Sequence, residues 1–374
     1  MNLLYITPYL PVFGSHGCAS KTYDDIALLS LRHQISLVSF VAPCDKEKIN
    51  CLEKMNCKVY PFFIPSYRYL PYGCREMTCC IGDLIEKNQI DILQCETSFM
   101  AKYLPFLNGI PAVLTKHQIP SLYFWRDFKI RKNPFVLLRI IKNILDEKLW
   151  FLKFERIIFL SQHDKKIVEF LINDKSKIKI IPLGIDLEYF HPCQTDQYKY
   201  DACFLGNFLN YPNVDAFFYF VYKILPLVKK SFPHFSLLII GNNPPESIRQ
   251  FSGKENIHIT GCVEDVRPFL LMSKIFIHPM RLGSGMRRKL LEAWAMEKPI
   301  ISTTTGCEGL RTVNDKNILI ADNPVDFSKK IKLLMDDENL RGALGKEGRI
   351  TLKRYHNREE IVASLEKVYL ELIS

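Results

Sequence analysis

Short apolar, β-branched runs alternate with segments of helical period along most of this chain. Nearly every run ends in a glycine, a proline or a polar cluster. The first half carries Leu3–Ile6, Ile35–Val41, Val59–Ile64, Ile90–Cys95, Ala112–Leu114, Ile157–Leu160 and Ile178–Ile181. The second carries Ala202–Leu205, Ser236–Ile240, Ile257–Thr260, Ile275–Ile277 and Ile300–Thr304. Strands joined through helices pair in parallel, so this order predicts an α/β protein of doubly wound sheets. Sheets of that kind bind ligands at the carboxyl ends of their strands, where the glycines and polar clusters fall.

At 374 residues the chain exceeds one ordinary core, which predicts two domains. The polar run from Pro182 to Lys199 is the best linker, and the two halves read as one architecture used twice. Hydrophobic residues make up 48% and charged ones 24%, as in a globular chain and unlike a disordered one. The formal charge of +10 favours an anionic partner: a phosphorylated substrate, nucleic acid or acidic lipid. Twelve cysteines without a Cys-x-x-Cys spacing read as reduced thiols. With no basic, apolar leader at the start, they lead us to expect a cytoplasmic protein, peripheral at the inner face of the membrane if it meets one.

One stretch, Met280–Leu310, holds the most chemistry. A glycine turn, Gly283-Ser284-Gly285, precedes Arg287-Arg288-Lys289, and the helix that follows carries Glu292 in its first turns. A second loop, Gly306-Cys307-Glu308-Gly309, closes the next strand. Glycines admit a phosphate close to the backbone, a helix start attracts an anion, guanidinium and ammonium groups neutralise it, and a carboxylate accepts from ribose hydroxyls. The order suits a nucleoside diphosphate. In the first half, a loop from Gly14 to Gly17 lies between the first strand and a helix expected over Ala19–Leu31; Glu96 and Lys116-His117 end two other strands. The dinucleotide fingerprint Gly-x-Gly-x-x-Gly is missing there. From Arg126 to Arg156 there are nine Lys/Arg against four Asp/Glu, with Leu137, Leu138, Ile141, Ile144 and Leu145 at helical spacing. A basic amphipathic segment of this kind suits either an anionic membrane surface or an ordinary core-facing stripe.

The second half closely resembles the retaining glycosyltransferases of family 4, which have the GT-B fold, and in particular bacterial sugar transferases of polysaccharide and cell-envelope synthesis. The matching residues are Phe204-Leu205-Gly206, Tyr211 to Ala216, Ile240 to Pro244, Thr260 to Pro268, Gly283 to Ala293, and Ser302-Thr303-Thr304 with Glu308-Gly309-Leu310. The first half is similar more loosely, through Gly14–Gly17, Glu96, His117, Ser161 with Asp164, and Pro182–Asp186. The resemblance implies two Rossmann-like domains facing a central cleft. One, on the acceptor side, covers 1–185 and is completed by a terminal helix over 358–374; the other, for the nucleotide sugar, covers 186–357. It implies donor contacts at Gly14, Gly17, Gly261, Val263, Gly285, Arg287, Lys289, Glu292, Glu308 and Gly309, with the base bound at Gly261 and Val263. His117, Arg287 and Lys289 are the implied catalytic set. No metal and no cofactor are expected. The donor is a nucleotide sugar, UDP-linked before GDP-mannose, and the acceptor a glycan or a lipid-linked sugar, chosen by Ser66–Cys80 and Ile119–Asn133.

Two departures from the family pattern stand out. Ser284 occupies the place of the first of two glutamates eight positions apart. Gly206-Asn207-Phe208-Leu209-Asn210 holds no cation where many members carry an arginine and a lysine, which leaves phosphate neutralisation to Arg287 and Lys289. Ser284 also keeps open a degenerate subunit that binds without catalysing. A nicotinamide oxidoreductase lacks its fingerprint here, and nucleic acid lacks a repeat of stacking aromatics.

Overall fold

In the computed structural model, residues 1–374 are described except 15, 16, 68, 69, 72, 106, 108 and 194–197. The chain divides into two compact units, Met1–Gly184 with Arg358–Ser374, and Ile185–Asn357. Ser15 and His16 of the first glycine loop, and parts of the Ser66–Cys80 and Pro182–Lys199 stretches, lie outside the described residues.

The first unit is built on seven strands: β1 (Asn2–Thr7), β2 (Gln34–Val41), β3 (Cys57–Phe63), β4 (Ile92–Glu96), β5 (Ala112–Lys116), β6 (Arg156–Phe159) and β7 (Ile178–Ile180). Their order in the sheet is β3-β2-β1-β4-β5-β6-β7, and every pairing is parallel. Apolar residues cover both faces. Leu4, Ile6, Leu93 and Leu114 point into one cluster, and Leu3, Tyr5, Ile92 and Val113 into the other. Alternate residues of one strand reach opposite faces, which explains why these strands are apolar throughout and do not alternate with polar residues. The terminal helix Arg358–Ile373 closes the second cluster with Ile361, Val362, Leu365, Val368 and Tyr369. Its Tyr369 hydroxyl donates to Gln94 at 2.9 Å and lies 3.0 Å from the Tyr5 hydroxyl.

The second unit repeats the plan with β8 (Tyr200–Leu205), β9 (Leu237–Ile240), β10 (Ile257–Ile259), β11 (Ser273–His278), β12 (Ile300–Ser302) and β13 (Leu319–Ile320). The order β10-β9-β8-β11-β12-β13 is again all parallel. The winding direction reverses between β8 and β11, the place where such sheets open a crevice. The stretch singled out in the sequence, Met280–Leu310, leaves that crevice edge directly after β11.

Two of the expected boundaries shift by two residues. The helix foreseen over Ala19–Leu31 runs Gly17–Leu29. The strand foreseen over Ile300–Thr304 stops at Ser302, because the Thr303 hydroxyl turns to bond the Met280 carbonyl and accepts from the Gly306 amide. Glu96, Lys116 and His117 stand at the strand ends where they were expected, and all three are buried.

The helix Arg288–Ala295 that carries Lys289 and Glu292 is clamped from behind by the helix Glu338–Tyr355. Trp294 is fully buried and donates through Nε1 to the Asn317 carbonyl at 2.9 Å. Gly348 lies so close to the Trp294 indole that a Cβ there would overlap it. Alanine normally raises helix stability over glycine by about 1 kcal/mol. Here Gly348→Ala should instead lower unfolding stability by about 1–3 kcal/mol through overpacking, read as a reduced midpoint in urea. An unchanged or raised midpoint would show that the clamp is slack.

Candidate functional site

In the second unit the site is built on the turn after β11 and the helix behind it. Gly283 and Gly285 take left-handed backbone (φ 107° and 81°). The Arg287 guanidinium folds back over this turn. Its Nη1 donates to the Ser284 carbonyl at 2.6 Å, and a side chain at Gly283 would overlap it. The φ angle is what favours glycine there, since a Cβ would displace only the flexible end of the Arg287 side chain. Ser284 is buried beneath, so a glutamate in its place would have to re-route the turn.

Arg287 is the residue before the helix, and no side chain caps the first turn. Within the first turn, Lys289 is half-buried and reaches inward. Its ammonium donates to Asn213 Oδ1 at 2.8 Å and lies 5.5 Å from the Phe204 ring centre. Asn213 is itself fixed, donating to the Asn207 carbonyl at 2.6 Å. Burial, with Arg287 close by and only partly offset by Glu292, pushes the Lys289 ammonium down to about 7. Glu292 lies on the next turn of the same helix, 3.2 Å from Arg288 Nε. Behind them His278, the last residue of β11, stacks near Phe204 and Phe276 with ring centres 6.1 and 6.3 Å away. Both of its ring nitrogens are buried without a hydrogen-bond partner. Burial and the cations of Lys289 and Arg287 hold this imidazole neutral. Gly261 and Val263 follow β10, and Glu308 and Gly309 follow β12. All these residues leave the carboxyl edge of one sheet, the edge where a parallel sheet binds ligands.

In the first unit, Gly14 is exposed after β1 and Gly17 opens the helix Gly17–Leu29. His117 follows β5 and is buried, with Nε2 against a Glu96 carboxylate oxygen. Glu96 also accepts from Gln94 at 2.9 Å, and lies 3.8 Å from Lys21, which pairs with Asp25 at 2.5 Å. Burial works against charge on His117, but Cys18 and Glu96 outweigh it, and the ring stays protonated well above its ordinary range. Glu96 shifts down, because Lys21 and His117 overcome its burial. An imidazolium held this way is a fixed cation and hydrogen-bond donor. A general base would need a neutral ring near neutral pH. Lys116, next to His117, is turned away and buried against Glu147 and Ser98.

Sequence reasoning missed four participants. Asn213 belongs to the quoted Tyr211–Ala216 stretch, but nothing in its spacing says that it holds Lys289. His278 reads as an ordinary strand residue. Lys21 and Asp25 stand four apart on a helix, a legible pair whose burial beside Glu96 is not legible. Among the described residues, no group of three or more His, Cys, Asp or Glu side chains could hold a metal ion.

Comparison with known proteins gives two family matches that together cover most of the chain. "Glycosyltransferase Family 4" matches residues 27–189, and "Glycosyl transferases group 1" matches residues 199–337. The chain is 26% identical over 358 residues to an uncharacterized protein in the cps region of Klebsiella pneumoniae, covering 88% of this chain and 90% of that one. It is 24% identical over 382 residues to the Escherichia coli UDP-Gal:alpha-D-GlcNAc-diphosphoundecaprenol alpha-1,3-galactosyltransferase, covering 92% and 95%. Anabaena HepE, solved with UDP-glucose, superposes with a TM-score of 0.74 at 12% identity over 99% of this chain and 100% of that one. The chain is a family 4 glycosyltransferase with the GT-B fold.

Proposed function

We propose that this glycosyltransferase moves a sugar from a nucleoside diphosphate donor, a UDP-sugar before GDP-mannose, to a glycan or lipid-linked acceptor in cell-surface polysaccharide synthesis. The observation that carries the reading is the Arg287–Lys289 pair. Two cations stand at an uncapped helix start, and the buried ammonium bonds a neutral amide. Such a site gains most from an anion that brings its own charge, as a diphosphate does. Two relatives lend the acceptor class: the Escherichia coli enzyme above, and a 26% identical Campylobacter jejuni transferase, both named for diphosphoundecaprenol-linked sugars.

In this reading Gly285 admits the diphosphate, Arg287 and Lys289 neutralise it, and Glu292 accepts from the ribose. Gly261 and Val263 hold the base, and Glu308 and Gly309 border the sugar. Departure of the nucleoside diphosphate is assisted by the two cations without a metal, and transfer retains the anomeric configuration. His117, protonated against Glu96, contributes fixed positive charge near the transferred sugar and does not remove a proton. Ser284 marks a missing carboxylate and favours, as the second reading, a subunit that binds donor without turning it over.

The decisive experiment incubates the purified chain with UDP-sugars and GDP-mannose, a diphosphoundecaprenol-linked sugar and a chelator, following nucleotide release and the anomeric configuration of the product. Transfer with retention in the chelator is expected. Donor binding with neither transfer nor hydrolysis would leave the binding subunit instead.

Two variants probe the cation pair. Arg287→Ala and Lys289→Ala should each lower turnover at least tenfold while melting like the parent, since one lost transition-state donor costs about 2–4 kcal/mol. Near-parental turnover in either would remove that residue from the leaving-group role.

Lys289 also sets a pH dependence. Free, it titrates at about 7; a bound diphosphate favours its charged form and raises that value. Donor affinity should therefore be level below pH 7 and weaken by up to about tenfold per unit above it. Lys289→Arg, cationic throughout, should flatten the curve. Titration calorimetry from about pH 6 to about pH 9 reads this directly, and a parental curve as flat as that of the arginine variant would contradict it.

A further inference from the structure

The helix Phe135–Phe151 is apolar on two sides. Val136, Ile140, Ile144, Glu147 and Phe151 recur at helical spacing and face the body of the first unit, where Val136, Glu147 and Phe151 are buried. Leu138, Ile141, Leu145, Leu149 and Leu152 recur at the same spacing on the roughly opposite side. They stand 66%, 56%, 57%, 63% and 64% exposed, and Phe135 extends the ridge at 74%. Of the two settings the sequence left open for this segment, the core-facing stripe does not describe Leu137, Leu138, Ile141, Ile144 and Leu145: of these five residues only Ile144 packs against the core. A helix apolar all round calls for a second apolar neighbour. Among the described residues nothing covers this ridge.

Charge decides which neighbour fits. Lys142 and Lys148 flank the ridge on its two sides with Arg139 beyond, all exposed. Three of the segment's four carboxylates are spent internally: Asp127 pairs with Arg131 at 2.9 Å, Glu147 is buried against Lys116, and Glu155 accepts from the Ala112 amide at 2.6 Å; Asp146 alone faces the three cations. A second copy of the chain would set these cations against their own images across a twofold axis. An anionic lipid surface takes the leucines into its headgroup–acyl boundary while the lysine ammoniums reach its phosphates. No helix among the described residues is long and apolar enough to cross a bilayer.

We propose that the outward face of the helix Phe135–Phe151 docks on an anionic membrane leaflet. This surface is rigidly tied to the candidate site of the same unit. Glu147 on its inner face holds Lys116, the neighbour of His117, and the helix Pro120–Arg131 that packs beside it begins three residues after His117. Docking would therefore fix the height of that strand exit above the lipid, where a lipid-linked sugar has its head. This last consequence rests on the acceptor reading above; the docking itself does not.

The test is co-sedimentation of the full chain with phosphatidylglycerol–phosphatidylcholine vesicles and with phosphatidylcholine alone. The parent should bind the anionic vesicles, bind phosphatidylcholine at least tenfold more weakly, and release with added salt. Leu138→Glu/Leu145→Glu should lose at least tenfold in vesicle affinity with unchanged melting and unchanged donor hydrolysis; Lys142→Glu/Lys148→Glu should lose the preference for phosphatidylglycerol. A parent that ignores anionic vesicles, a leucine variant that binds as before, or a ridge-dependent dimer in sedimentation velocity without vesicle binding would each overturn the proposal. Vesicle binding by a chain that hydrolyses no donor would leave docking intact and count against the transferase reading alone.

Discussion

Parallel pairing is the constraint from which the rest of this molecule follows. Two neighbouring parallel strands cannot be joined by a tight turn, so each connection crosses over through a helix and returns to the same end of the sheet. All strand exits then gather on one edge. In the second unit that edge collects the turn Gly283–Gly285, the start of the helix Arg288–Ala295 and the loops after β10 and β12. In the first it collects Gly14, Glu96 and His117. Residues far apart in sequence become neighbours because the connections are topologically forced, and both faces of each sheet must be apolar to bury the helices that make them.

The two units treat charge on this edge differently. The first answers each buried cation with a carboxylate: Lys21 with Asp25 and Glu96, His117 with Glu96, Lys116 with Glu147. Breaking one member of such a set would strand its partner in a low-dielectric interior, so these groups act as fixed scaffolding. In the second unit Lys289 is pulled inward to an amide, and its acidity rises as a result. Arg281, a third cation nearby, is tied to Asp215 by two bonds of 3.1 and 2.6 Å and is occupied with structure. The second unit thus differs from the first in giving one buried ammonium an uncharged partner.

Most of the architecture is legible in the sequence, because apolar period and glycine punctuation are local signals. The glycine turn, the cation pair and Glu292 are legible for the same reason, lying within ten residues of one another. What is not legible depends on contacts between distant segments. Nothing in the spacing of Lys289 reveals Asn213, 76 positions away. The order of residues at the exit of β5 does not say that Lys116 turns inward or that His117 is held charged by Glu96. The Phe135–Phe151 helix is the instructive case, because its sequence left two settings open. Its leucines have the right period for a core stripe, and only the burial of Val136 and Phe151 on the other side shows that the stripe faces out.

The return of the terminal helix has a consequence for how the protein is made. Arg358–Ile373 supplies one wall of the first unit's core, with Tyr369 reaching Gln94, the strand neighbour of Glu96. On a ribosome this segment emerges only after the whole second unit. The first unit, although translated first, waits with an apolar face uncovered for as long as the second takes to be synthesised. Vectorial synthesis thus reverses the usual order in which domains mature. Throughout that interval, the half-finished sheet is the part of the nascent chain most open to chaperones and to mispairing.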